Sequence, residues 1–281
     1  DRSSPVQVGT SSNWTSVFSG FRTSHVIKTD GTLWSFGAGN EGLLGTIATT
    51  NVSTPVQVGT ASSWTKIAHT GFAGGLNVAI GLKTDGTLWT WGNSNNLALG
   101  ISVSPSTIST PVQLGSFSNW SKVNIGTVHG AAIKTDGTLW TWGTNAFGQL
   151  GLTDTVNRNT PVQVGTLSNW SNVVCGIDQT LAIKTDGTLW AWGGNSYGQL
   201  GLSNQTHRSS PVQVGALSDW LSSNPASVSC GKNAYITHII KSDGTLWAWG
   251  RAGSYNPLGI QLTQGSAILP QQIWFENEYG I

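Results

Sequence analysis

One hexapeptide returns five times along the chain. Thr-Asp-Gly-Thr-Leu-Trp stands at 29–34, 84–89, 135–140 and 185–190, and 242–247 carries it with Ser for the first Thr. The aspartates Asp30, Asp85, Asp136, Asp186 and Asp243 are therefore 55, 51, 50 and 57 residues apart. A second string, Pro-Val-Gln-Val-Gly or close to it, starts at Pro5, Pro55, Pro111, Pro161 and Pro211, and a degenerate copy starts at Pro270. A period near 50 residues restricts the chain to solenoids, propellers or arrays of modules.

Each unit reads as four short strands, a to d. In the third unit they are 119–126, 131–134, 138–143 and 161–164. Asp-Gly between two apolar stretches is a tight-hairpin signal, because both residues tolerate positive φ. The link from b to c is thus a turn in every unit. Pro opening strand d suits the first residue of an outer edge strand, where no ladder N–H is missed. No stretch carries a sustained helical period with caps. Solenoid rungs are shorter than this period, and separate modules would need linkers that the sequence lacks. The expected fold is all-β, a β-propeller of four-stranded antiparallel blades. It forms a single domain over 1–281, with repeats at approximately 10–59, 60–115, 116–165, 166–215 and 216–274. Five blades is the first reading, and part of a six- or seven-bladed array is the other. One of the d-type segments, 5–9 or 270–274, is surplus to five. The chain opens on Asp1 rather than Met, so a processed product or a segment of a longer one is expected.

Composition narrows the function. Charged residues are 9% of the chain, against roughly 25% in ordinary globular proteins, and the net charge is +1. That excludes the electrostatic footprint of a nucleic-acid binder and a polybasic membrane anchor. No apolar run approaches the roughly 20 residues that span a bilayer, so no membrane insertion is expected. Two cysteines, Cys175 and Cys230, are too few for a disulfide scaffold. They fall at equivalent positions in neighbouring units, a whole blade rotation apart, and are expected as reduced, buried thiols.

The third unit, with Gly126, Ala132, Asp136, Gly137, Trp142, Gly143, Asn145, Gly148, Gln149, Leu150 and Gly151, resembles the regulator-of-chromosome-condensation repeat. The fourth unit repeats the pattern from Gly176 to Gly201. The first, second and fifth units depart from it, ending their loops on Leu43-Leu44-Gly45, Ala98-Leu99-Gly100 and Pro257-Leu258-Gly259. The resemblance implies a propeller, which in that family usually has seven blades. It is nearest the bacterial and bacteriophage type, carried on surface and virion proteins. Other branches include inhibitory proteins that grip an enzyme and the nucleotide-exchange factor that names the family. That factor uses a loop wedge for a small GTPase and a basic tail for chromatin; neither is identifiable here. A plant ultraviolet photoreceptor in the family uses Trp clusters, but its Trp-bearing motif would fall in the a–b loops, which contain no Trp here.

Successive turns of an antiparallel meander alternate between its two ends. The b–c turns and d–a links therefore share one face of the disc, and both are nearly uniform. The a–b and c–d loops share the other, and both vary from unit to unit. A uniform scaffold with one variable face is how binding proteins are commonly built. The candidate contacts are its non-recurring residues Phe21, Arg22, Phe72, Asn77, His129, Asp178, Lys232, Tyr235 and Tyr255. Fourteen of the 15 Trp recur at fixed places and are read as blade packing. No metal-ligand spacing, phosphate loop or nucleophile motif appears, so no cofactor, no metal and no catalytic residues are assigned. The expectation is a non-enzymatic propeller on a cell surface, on a virion or in the extracellular space. Its partner would be a host-surface protein or glycan, or a neighbouring subunit of a particle, and no nucleic acid. The alternatives are an intracellular regulator resembling the exchange factor and a passive spacer.

Overall fold

Asp136 organises the turn that follows strand b of the third unit. Its Oδ1 accepts from Thr138 N at 2.9 Å and from Thr138 Oγ1 at 2.7 Å. Thr138 Oγ1 in turn accepts from Trp140 Nε1 at 3.0 Å. The same three bonds recur at Asp30, Asp85, Asp186 and Asp243. The lysine preceding each turn lies over the indole that opens the following strand, 3.7 to 4.7 Å from its centroid. The Trp of the d–a link meets that indole edge to face. The recurring Lys, Asp, Thr and two Trp are thus one packed unit.

The structure is a computed structural model, and it describes residues 4–20, 22–70, 77–93, 97–102, 107–220, 228–232, 234–251, 258–260 and 265–273. The described strands form five four-stranded antiparallel sheets, each a meander. The first blade is β1 (Trp14–Ser19), β2 (Thr23–Lys28), β3 (Leu33–Gly37) and β4 (Val52–Gln57). The second is β5 (Trp64–His69), β6 (Val78–Lys83), β7 (Leu88–Asn93) and β8 (Thr107–Gln113). The third is β9 (Trp120–Ile125), β10 (His129–Lys134), β11 (Leu139–Gly143) and β12 (Arg158–Gln163). The fourth is β13 (Trp170–Cys175), β14 (Gln179–Lys184), β15 (Leu189–Gly193) and β16 (Arg208–Gln213). The fifth is β17 (Val228–Cys230), β18 (Ile236–Ile240), β19 (Leu246–Arg251) and β20 (Ser266–Gln272). From the first blade to the fifth, strand a packs on strand a of the next, so these strands are innermost.

Pro270 lies within β20, so the last Pro-containing segment supplies the fifth blade's outer strand. The first, at 5–9, forms no strand, and Val6 and Val8 are exposed. The outer strands begin before their prolines rather than on them. Pro161 is the fourth residue of β12, where the register with β11 shifts between Thr141 and Gly143. A bulge on an edge strand absorbs the missing N–H as well as a strand start would.

A second Trp in strand c welds the blades together. Trp91 Nε1 donates to the carbonyl of Leu43, Trp142 to Ala98, Trp192 to Gln149 and Trp249 to Gln199, all at 2.9 to 3.0 Å. Each acceptor belongs to the c–d loop of the preceding blade. All four indoles are fully buried. Phe36 holds this place in the first blade and has no N–H to give. Cys175 and Cys230 are free and buried. Desolvation pushes the Cys230 thiol up to about 12 and Cys175 still higher.

Candidate functional site

Backbone hydrogen bonds sort the connections into two ends. The a–b and c–d loops meet where Ala38 N donates to Arg22 O, Asn93 N to Asn77 O, Thr144 N to Val128 O, Gly194 N to Asp178 O and Arg251 N to Tyr235 O. At the other end the Asp-Gly turns lie on the d–a links, as in Thr29 N to Asn13 O and Trp64 N to Gly31 O.

The loops of the third and fourth blades are held from inside by one asparagine each. Asn145 Oδ1 accepts from Leu150 N, and its Nδ2 reaches Asp154 O, Asp154 Oδ1 and Val156 O. Asn195 repeats this with Leu200 N, Asn204 O and Thr206 O. Gln149 and Gln199 accept from Phe147 N and Tyr197 N. Buried amides thereby fix a loop whose tip is free to vary, and the residue two places after the asparagine stands there. It is Phe147 in the third blade and Tyr197 in the fourth; Glu41 occupies the matching place in the first.

Each tip residue reaches toward the next blade. Glu41 accepts a hydrogen bond from Asn77 Nδ2. Phe147 packs on His207 with ring centroids 5.1 Å apart. Tyr197 packs on Tyr235 at 4.8 Å, and Arg251 lies over the Tyr197 ring at 4.7 Å. Asp178 borders this group, accepting from Gln199 Nε2 at 3.4 Å. Burial raises the Asp178 carboxyl above its ordinary range, against the lowering effects of Gln199 and His207. Burial also raises Tyr235, helped by the Asp178 and Tyr197 charges and opposed by Arg251. The result is a patch of two half-buried tyrosines, a half-buried carboxylate and an exposed arginine on the loop-bearing end of the fourth and fifth blades.

The sequence candidates therefore divide. Asp178 and Tyr235 come together at this patch, and Asn77 sits at the seam with Glu41. Arg22 is exposed on the same end. His129 is a strand residue, 0% exposed, with Nε2 2.7 Å from Thr180 Oγ1 and its pKa pushed down to about 3 by burial. Its ring is not presented to solvent. Lys232 turns toward the axis: its Nζ donates to His69 O and its own carbonyl accepts from Thr127 Oγ1 at 2.6 Å. That ties the fifth blade to the second and third, and burial lowers the Lys232 amine. Phe21, Phe72 and Tyr255 lie outside the described residues. The sequence reading passed over Glu41, Phe147, Tyr197, His207 and Arg251. Their signal was a fixed loop position filled by a different residue type each time. Among the described residues no group of three or more His, Cys, Asp or Glu could hold a metal, and no helix is long and apolar enough to cross a membrane.

Meanders of one shape, pinned by one turn and bearing variable loops at one end, define a repeat β-propeller. The chain belongs to the regulator of chromosome condensation (RCC1) repeat family, whose repeat matches residues 30–72, 85–133, 136–183 and 186–234. A second description of the same repeat matches 120–149 and 170–199. Among solved structures, Prp20p of Saccharomyces cerevisiae, described with its binding to Gsp1p and histones, superposes with a TM-score of 0.76 at 20% identity. That match covers 92% of this chain and 63% of Prp20p. Yeast RCC1 (Prp20) bound to Kap60 gives 0.75 at 19% identity, covering 95% and 64%. Human WBSCR16 gives 0.66 at 22% identity, covering 78% and 56%. The chain thus spans less than two thirds of each of these proteins.

Proposed function

We propose that the chain is a non-enzymatic propeller displayed on a cell surface or virion, and that its loop-bearing end grips a host-surface protein or glycan or a neighbouring particle subunit. The observation that carries this reading is the Tyr197–Tyr235–Arg251 cluster beside Asp178. Aromatic and arginine side chains dominate binding hot spots; here Tyr197 stands on a loop held by Asn195 and Gln199, and Arg251 ends strand β19 beside it. A chain with 9% charged residues favours a protein or sugar over a polyanion as ligand.

The likeness in fold to Prp20p favours a second reading, an intracellular regulator acting on a small GTPase. A passive spacer is the third. The experiment is binding of the purified chain to a glycan array and to a panel of intact cells. It is compared with the Tyr197→Ala, Tyr235→Ala and Arg251→Ala triple variant and with a variant altered at the Asp-Gly-turn end. Loss of binding only in the loop-end variant supports the proposal. Loss only in the turn-end variant moves the binding face to the other end. Acceleration of nucleotide release from a small GTPase would replace the first reading with the second, and no binding in any format leaves the spacer.

A further inference from the structure

The seam between the first and second blades carries a pocket of about 590 Å³, lined by the d–a link from Val58 to Ala61, by strand residues and by Gly45, Thr46 and Ile47 of the first c–d loop. Trp64, Trp89 and Lys83 form its floor, Ala61 stands beside them, and Ile47, 85% exposed, forms a lip. The equivalent pocket between the third and fourth blades is about 400 Å³. Its lining falls at the same repeat positions, except that the counterparts of Thr60 and Lys83 do not line it, and Leu167 stands where the larger pocket has Ala61.

At the seam between the second and third blades, Phe117 holds that place. Its ring meets Trp120 at 5.9 Å and Trp140 at 5.4 Å, and Lys134 Nζ lies 3.3 Å from its centroid. Lys134 therefore has three aromatic faces around it, with Trp140 at 4.0 Å and Trp120 at 5.1 Å. Lys83 has the two matching indoles, Trp89 at 3.7 Å and Trp64 at 4.7 Å. With Ala61 in place of a ring, its third face opens into the pocket. The negative face of an aromatic ring is the charge complement of that ammonium, and the volume falls in the roughly 300–1,000 Å³ range of ligand sites.

We infer that the Ala61 pocket receives an aromatic side chain from a partner protein, seated as Phe117 is seated one blade further on. This site shares no residue with the Tyr197, Tyr235, Arg251 and Asp178 patch.

The probe is N-acetyl-phenylalaninamide, with N-acetyl-leucinamide for comparison, titrated into the full chain. The readout is the indole N–H signals of Trp64 and Trp89 in a proton–nitrogen correlation spectrum. A saturable shift of both signals is expected, several-fold tighter for the aromatic probe, and lost in Ala61→Phe. Leu167→Phe fills only the other pocket and should leave the shift intact. Phe117 shows that the repeat accommodates the ring. Ala61→Leu, which copies the Leu167 side chain, serves as the second blocking variant should Ala61→Phe misfold. No saturable shift, equal affinity for both probes, or a shift that survives both blocking variants would overturn the inference.

Discussion

Trp192 Nε1 donates to the carbonyl of Gln149 at 3.0 Å, and the same oxygen accepts from Thr180 Oγ1 at 2.8 Å. The fourth blade thus closes on the loop of the third through two donors aimed at one acceptor. The arrangement separates the packing role of the recurring indole from its polar role. Trp192→Phe removes one donor but leaves Thr180, so the carbonyl keeps a partner. The expected loss is about 1–2 kcal/mol. Trp192→Ala also empties a fully buried site and should cost about 3–5 kcal/mol. Urea unfolding of both variants checks the order, and equal losses would mean that the hydrogen bond carries most of the effect.

Two glycines at positive φ should respond differently to alanine. Gly137 has φ +80°, and a Cβ there would stand 2.1 Å from Ser168 O. Gly165 has φ +58° and nothing within 4 Å of that Cβ. Both substitutions incur the left-handed backbone cost, about 1–2 kcal/mol. Only Gly137→Ala also forces the turn away from the d–a link, adding about 1–3 kcal/mol of overpacking. Thermal melts of the two variants should therefore separate clearly; coincident Tm values would show that the turn and link part without cost.

The turn end was legible because it is written in local code. Asp-Gly fixes φ, Thr follows at the spacing that bonds the aspartate, and five copies name the same end of the disc. The blade welds were not legible. Trp142 and Trp192 look alike in the string, but their acceptors lie 44 and 43 residues upstream, a distance that only the assembled ring defines. His129 looked like a loop residue because its neighbours vary. The structure extends the strand to include it, and Thr180 of the next blade takes its ring. Lys232 looked like a contact residue on a variable a–b loop, yet its amine finds the His69 carbonyl in the second blade. The tip residues Phe147 and Tyr197 were hidden for the opposite reason. They sit inside the best-matched stretch of the repeat, where the residues around them hardly change.

Asn145 should act on one loop and leave the other alone. It is buried and satisfies four groups of its own c–d loop, while Asn195 does the same work one blade later. Asn145→Ala leaves Leu150 N and two carbonyls without that partner, at about 1–3 kcal/mol. Hydrogen exchange at Leu150 should accelerate while Leu200 stays protected. Equal acceleration at both would mean that the two loops open as one unit.

Acid should destabilise the protein well before its carboxylates titrate. Burial pushes His25 and His129 down to about 3, so both stay neutral in the native state. In the unfolded chain each titrates near 6.5. Between those values the unfolded state binds more protons, so stability is fully present above 6.5 and is lost as pH falls toward 3. Each histidine contributes a limiting slope of about 1.4 kcal/mol per pH unit. The turn aspartates are lowered by their Thr hydrogen bonds. Their contribution is present above the ordinary carboxylate value and fades only below it, so it adds to the fall at lower pH. His129→Gln separates the two, because Gln179 already fills the equivalent buried position in the fourth blade. That variant should show a shallower decline of Tm from pH 6.5 down to about 3 and an unchanged decline below that. A parent protein whose Tm is flat from pH 7 to 4.5 would show that these rings take up protons without unfolding.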